Sequence, residues 1–253
     1  KIYLEDLINL LKKQDTKDEN LFRNSRYLLI KTYSAQLPND INRFELKVKE
    51  IKSFISDFPY DYRSFKLAYE LAEGYSGFGR SEEALNSYRS FLEKEFDLSK
   101  IEIDKDSEEK PKIIIEQLEK SRMSAMYRIG EILFSQKDYS GAIEIWNRYI
   151  NQYPDGPQWA DAQRNIMNAE FYMGKDLLAQ EKYDEMRVTW DRFLEKYPLD
   201  ERSRQIMFTY GQIFYHKGLE DQDYYRKAIA EWERLVSKYP TTEESSLALL
   251  RIG

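Results

Sequence analysis

One phrase recurs along this chain and restricts what it can fold into. It reads WNRYINQYP at 146–154, WDRFLEKYP at 190–198 and WERLVSKYP at 232–240. Looser copies are IKSFISDFP at 51–59 and YRSFLEKEF at 88–96. Apolar residues at i, i+3, i+4 and i+7 make one face of a helix. The proline then ends it, because proline lacks an N–H and pushes the preceding residue out of helical geometry. Each phrase therefore predicts the last two turns of a helix and a fixed exit.

Two further anchors keep step with the phrase. Gly130, Gly174 and Ala72 lie 24 residues before Pro154, Pro198 and Phe96, and Gly211 lies 29 before Pro240, the LEDQD turn supplying five extra residues. Small residues at a fixed interval predict points where two helices come close. Ala84, Ala142 and Ala228, with Met186 as the exception, each precede the first aromatic of the phrase by four residues.

The combination resembles the tetratricopeptide repeat, a unit of about 34 residues built from two antiparallel helices. The family's bulky, aliphatic, small and aromatic positions on the first helix fall on Met126, Ile129, Gly130 and Leu133, or on Ala68, Leu71, Ala72 and Tyr75. The second helix carries Tyr139, Ala142, Trp146, Tyr149 and Pro154, and again Tyr225, Ala228, Trp232, Leu235 and Pro240. The expected fold is all-α, a tetratricopeptide-like α-solenoid, which in the family is a right-handed superhelix of antiparallel helix pairs. Residues 1–59 are expected to form an N-terminal helical region with a degenerate pair at 20–36 and 41–57, and residues 60–253 the repeat array.

Irregular spacing is readable as well. Pro154 to Gly174 is seven residues longer than Pro198 to Gly211, close to two helical turns, which predicts a long helix near 158–181. A charged insertion near 97–112 predicts a surface loop, with Pro111 opening a helix to about 136. At the C-terminus TEESSLALLRIG reads as a first helix without its partner, an incomplete last repeat. The expectation is that the natural protein continues past Gly253, as part of a longer polypeptide or a multiprotein complex, or that this end docks onto something.

Within the family, ligand contacts fall three residues before the small anchor, one after it and four after it, on the first helices lining the concave face. The resemblance therefore implies a partner-binding stripe of Tyr69, Tyr127, Glu131, Phe134, Phe171, Lys175, Phe208, Gln212 and Tyr215. Rings offer large contact area with few rotors to freeze. They are also what a tight helical stack needs for its own packing, and both readings stay open here. The basic clamp of carboxylate-binding co-chaperone relatives is missing: Glu73, Glu131 and Gln212 stand at its positions.

Catalytic signatures are weak. With no cysteine and only His216, thiolate and multi-histidine metal sites and the HExxH motif are excluded. His216 closes a predicted helix, where a histidine suits the negative end of the macrodipole. GYSGFGR at 74–80 follows no strand, so it is a turn between helices rather than a dinucleotide loop. DKDSEEK at 104–110 has Glu109 where a calcium loop needs glycine. No enzyme activity, cofactor or metal is expected. Net charge is −6, which argues against a dense phosphate-binding face and thus against nucleic acid as a partner. No run of about 18 apolar residues spans a membrane. The start, KIYLEDLINLLKKQD, is amphipathic and acidic and does not read as a signal peptide; without an initiator Met it is expected to be the start of a mature or trimmed chain.

The phrase followed by L-x-x-I/L-G is similar to bacterial cell-envelope members of the family, including the barrel-assembly lipoprotein and the Tol–Pal-associated periplasmic protein. The run from KYPLDERS to RIG also resembles the N-terminal helical region of bacterial α2-macroglobulin-like proteins. These resemblances imply a scaffold that binds a protein or peptide partner, in the periplasm or cell envelope, with the cytoplasm as the other location. The alternative is a structural helical module of a larger secreted or envelope protein with no separate ligand.

Overall fold

The computed structural model describes residues 2–13, 19–35, 40–93, 101–103 and 110–253. Among the described residues there are twelve helices: α1 (Ile2–Lys13), α2 (Glu19–Ala35), α3 (Ile41–Asp57), α4 (Tyr62–Gly77), α5 (Ser81–Glu93), α6 (Pro111–Ser135), α7 (Tyr139–Gln152), α8 (Trp159–Ala179), α9 (Tyr183–Lys196), α10 (Glu201–Lys217), α11 (Asp223–Lys238) and α12 (Glu243–Ile252). The only β-type pairing among them is an isolated bridge of Asp61 with Glu102. The all-α expectation holds.

Two compact units divide the chain, Lys1–Ala162 and Gln163–Gly253. In the first, α2 pairs with α3, α4 with α5 and α6 with α7, with α1 laid on α2. In the second, α10 pairs with α11, and α12 packs on both. The long first helices appear where the spacing places them: α8 within 158–181, and α6 from Pro111. DKDSEEK at 104–110 and most of the charged insertion lie outside the described residues.

Every second helix that ends in aromatic–Pro exits in the same way. Phe58, Tyr153, Tyr197 and Tyr239 have φ between −135° and −128° and ψ between 56° and 70°, and each donates its N–H to the carbonyl four residues back. The proline imposes this departure. In three corners a serine then closes the turn. Ser64, Ser203 and Ser245 donate to the carbonyls of Phe58, Tyr197 and Tyr239 at 2.6, 2.7 and 2.6 Å. Without the hydroxyl those carbonyls, at the frayed end of a helix, would lose a partner.

Asp61 and Asp200 cap α4 and α10, each accepting from the amide two residues on. Arg63 and Arg202 fold back on the same carboxylates in a two-pronged grip, Nε to Oδ1 at 2.8 and 2.6 Å and Nη2 to Oδ2 at 2.6 and 2.9 Å. The third nitrogen of each reaches an asparagine on the preceding first helix, Asn24 or Asn168. So D-x-R-S is a corner motif that ties successive first helices together. At the first corner Arg63 and Asp61 are both 1% exposed. Glu102 is held there by backbone bonds to Tyr60 and Tyr62 and by a 2.9 Å bond from Arg23.

Candidate functional site: the first-helix faces

The small anchors and the tryptophans form one repeated device. A Cβ on Gly130, Gly174 or Gly211 would lie within 2.7, 2.6 or 2.5 Å of indole carbons of Trp146, Trp190 or Trp232, and nearer still to Nε1. The absence of a side chain lets the indole lie flat against the first helix. Its N–H then donates to a backbone carbonyl three residues before the glycine: Tyr127 at 3.2 Å, Phe171 at 3.1 Å and Phe208 at 3.1 Å. Those carbonyls already serve their helix, and the buried N–H is satisfied. The fourth pair keeps the geometry with other residues. There the anchor is Ala72, the ring is Tyr88, and its hydroxyl donates to Glu73. Tryptophan goes with glycine and tyrosine with alanine, as the room under the ring requires.

This lock decides where the expected contact residues lie. The rings three before the anchor pack on the locked aromatic of their own pair: Tyr69 with Tyr88 at 6.1 Å, Tyr127 with Trp146 at 6.3 Å, Phe171 with Trp190 at 6.0 Å and Phe208 with Trp232 at 6.0 Å between centroids. The rings four after the anchor close on the other side of the indole, Phe134 at 6.1 Å from Trp146 and Tyr215 at 6.0 Å from Trp232. The structure thus brings each pair of expected contact rings together around one tryptophan. Phe171 is buried; Tyr69, Tyr127, Phe134, Phe208 and Tyr215 are half-buried.

The polar members lie at the surface. Glu131 is half-buried and ion-paired with Arg128 at 2.7 Å, Gln212 is half-buried, and Lys175 is exposed with its ammonium over the rings of Phe171 and Tyr172. The hydrogen bond that Arg128 donates to Glu131 keeps its guanidinium above its ordinary range, and the charge of Glu73 adds to it. Burial pushes Tyr88 far above an ordinary tyrosine, helped by the Glu73 carboxylate that its hydroxyl needs as acceptor. Tyr210 is raised in the same way by burial and then by Asp191. At Asp200 the Arg202 guanidinium holds the carboxyl below its ordinary value.

Sequence reasoning missed the D-x-R-S corner, although DYRS at 61–64 and DERS at 200–203 repeat after the same aromatic–Pro exit. Among the described residues no group of His, Asp and Glu could hold a metal ion, and no helix is long and apolar enough to cross a membrane.

Similar solved structures include the pilF protein of Pseudomonas aeruginosa, 14% identical over 98% of this chain and 90% of that one, with a TM-score of 0.34. A putative kinesin light chain with TPR-like repeats from Podospora anserina is 11% identical over 90% and 92%, with a TM-score of 0.32. The C-terminal part of a TPR repeat-containing protein from Cytophaga hutchinsonii is 13% identical over 98% and 95%, with a TM-score of 0.29. Superpositions at these scores carry no weight beside the helix pairs themselves. No curated protein matches the chain. The family model of YfiO, outer membrane lipoprotein, matches residues 119–252, more than half of the sequence, and the chain belongs to that family.

Proposed function

We propose that this protein is a non-catalytic scaffold of the bacterial cell envelope that holds a protein or peptide partner along its first helices. The observation that carries the reading is the lock. Three indoles fix the register of three first helices, so the positions one and four after each anchor recur in the same setting. A surface held rigid by its own core loses little entropy on binding. In this reading Glu131 is a polar contact of the first unit, and Lys175 and Gln212 are polar contacts of the second. The outer edges of Tyr69, Tyr127, Phe134, Phe208 and Tyr215 supply contact area, and Phe171 backs them from within. The envelope location follows the family's description as an outer membrane lipoprotein.

The test is site-specific photo-crosslinking in intact cells. A photoreactive residue at 131, 175 or 212 is expected to give an adduct with a protein partner, the same one at 175 and 212. The same residue at Glu144 or Arg226, exposed on second helices, is expected to give none. Adducts at the second-helix positions alone would overturn the assignment. Tyr127→Ala and Phe208→Ala are poor probes here, because both rings also pack on a tryptophan.

A second reading, a structural module with no separate ligand, draws on α12. Its Leu250 takes the register that Phe208 holds in α10, and it is exposed. On that reading the crosslinks of all five positions are absent.

A further inference from the structure

We propose a second interaction surface within the second unit: a groove between α9 and α11 that takes an amphipathic helix of a protein partner, basic along one flank and acidic along the other. The groove has a volume of about 660 Å³. Its floor is apolar, made by Leu194, Pro198 and the buried Met207 of α10. Its walls carry opposite charge. α9 contributes Asp191 and Glu195; α11 contributes Arg234 and Lys238.

One end is tied shut, where Arg187 of α9 reaches Glu231 of α11 at 2.7 Å. Beyond that tie, among the described residues, no ion pair joins the two walls. Asp191 is engaged by Tyr210 of α10 and by Arg187 of its own helix, and Arg234 by Glu231 of its own helix. The walls therefore stand apart with their charges unmatched across the gap. The open stretch from Arg187 to Pro198 is about 16 Å along α9, room for roughly three turns of helix.

The equivalent groove of the first unit, between α3 and α5, shows that these charges are not a general property of the repeat. Trp190 and Trp232 correspond to Ile51 and Tyr88. There Asn86, Ser87 and Ser90 line the α5 wall, and Lys52 is the single charged lining residue. Apolar seam to Leu194 and Met207, basic flank to α9, acidic flank to α11: that is the helix the second-unit groove complements. Charge matching of this kind selects partner and register.

The probe is a stapled helical peptide of about 14 residues with leucines at i, i+3 and i+7, lysines on one flank and glutamates on the other, compared with its flank-swapped isomer. Fluorescence anisotropy is expected to give at least roughly tenfold tighter binding for one isomer than for the other. The double substitution Glu195→Lys with Lys238→Glu touches two exposed side chains and should invert the preference with the circular dichroism spectrum unchanged. Equal binding of the isomers, a preference that survives the double substitution, or no binding at about millimolar peptide would overturn the proposal. So would a concentration-dependent dimer abolished by the same substitution, which would give the groove to a second copy of the chain.

Discussion

Replacing Gly211 by alanine tests the lock at one of its closest approaches. The new Cβ would lie 2.5 Å from Cε2 of Trp232, and closer to Nε1 and Cδ1. Ordinary carbon contact is about 3.5–4 Å, so the indole must retreat by an ångström or so. Trp232 is 1% exposed and stacked on Phe208, so it has nowhere to go without breaking its bond to the Phe208 carbonyl. Overpacking costs about 1–3 kcal/mol, and a stranded buried N–H about 1–3 more. Against this, alanine gains up to about 1 kcal/mol over glycine in a helix. The net expectation is a loss of about 1–5 kcal/mol, read as a lower urea midpoint by circular dichroism. The chain also contains its own rescue. Gly211→Ala with Trp232→Tyr recreates the Ala72–Tyr88 arrangement, and Gln212 offers an amide oxygen where Glu73 receives the Tyr88 hydroxyl. The double variant should therefore be more stable than the sum of the single changes predicts by at least about 1 kcal/mol. A neutral or raised midpoint for Gly211→Ala, or strict additivity in the double variant, would refute the reasoning.

Removing Arg63 should be far more damaging than removing Arg202. Arg63→Ala leaves the buried carboxylate of Asp61 with only Arg23 at 3.3 Å and the amide of residue 63, a loss of about 3 kcal/mol, whereas Arg202 and Asp200 keep access to water; chemical denaturation of the two variants compares them directly. Asp200 gives a pH signature. Its folded pKa lies below the ordinary 3.8, so its contribution is complete above that value and lost as the pH falls through the folded pKa; the stability gap between wild type and Asp200→Asn should close over that window in denaturation series. Tyr88 and Tyr210 behave in the opposite sense. Both are raised above the ordinary 10.0, so stability is retained below pH 10 and lost as the pH rises beyond it, and an ultraviolet titration should show two tyrosines that ionise only on unfolding.

The fold was legible because its determinants are local and repeated. The i, i+3, i+4, i+7 spacing ending in aromatic–Pro placed the second helices, and the interval back to Gly130, Gly174 and, with the five-residue turn allowed for, Gly211 placed the first ones against them. Pro111 opened α6 as its fixed φ allows, and Gly79 takes the left-handed φ of +70° expected of the turn after α4. The lock itself was only half legible. A glycine in step with a tryptophan reveals closeness, but the bond from Nε1 to a carbonyl three residues earlier depends on how the two helices are turned. The contact rings were harder still. Tyr127 and Phe208 look alike as groove linings or as packing, since either role wants an aromatic at that position. The structure shows each ring resting on its tryptophan. The corner ion pairs could not be read from charge alone, because Arg63 reaches Asn24 across 39 positions of sequence. The groove between α9 and α11 likewise depends on two helices that are not neighbours in the chain.

Hydrogen exchange at the tryptophan side chains, followed by the indole N–H signals in NMR, tests the central claim most directly. The chain has four tryptophans, and three are locked. Trp146, Trp190 and Trp232 should exchange slowly, near the rate of the most protected helix amides. Trp159, half-buried at the start of α8, should exchange orders of magnitude faster. Four indoles exchanging alike, or a fast signal assigned to any of the three, would contradict the account.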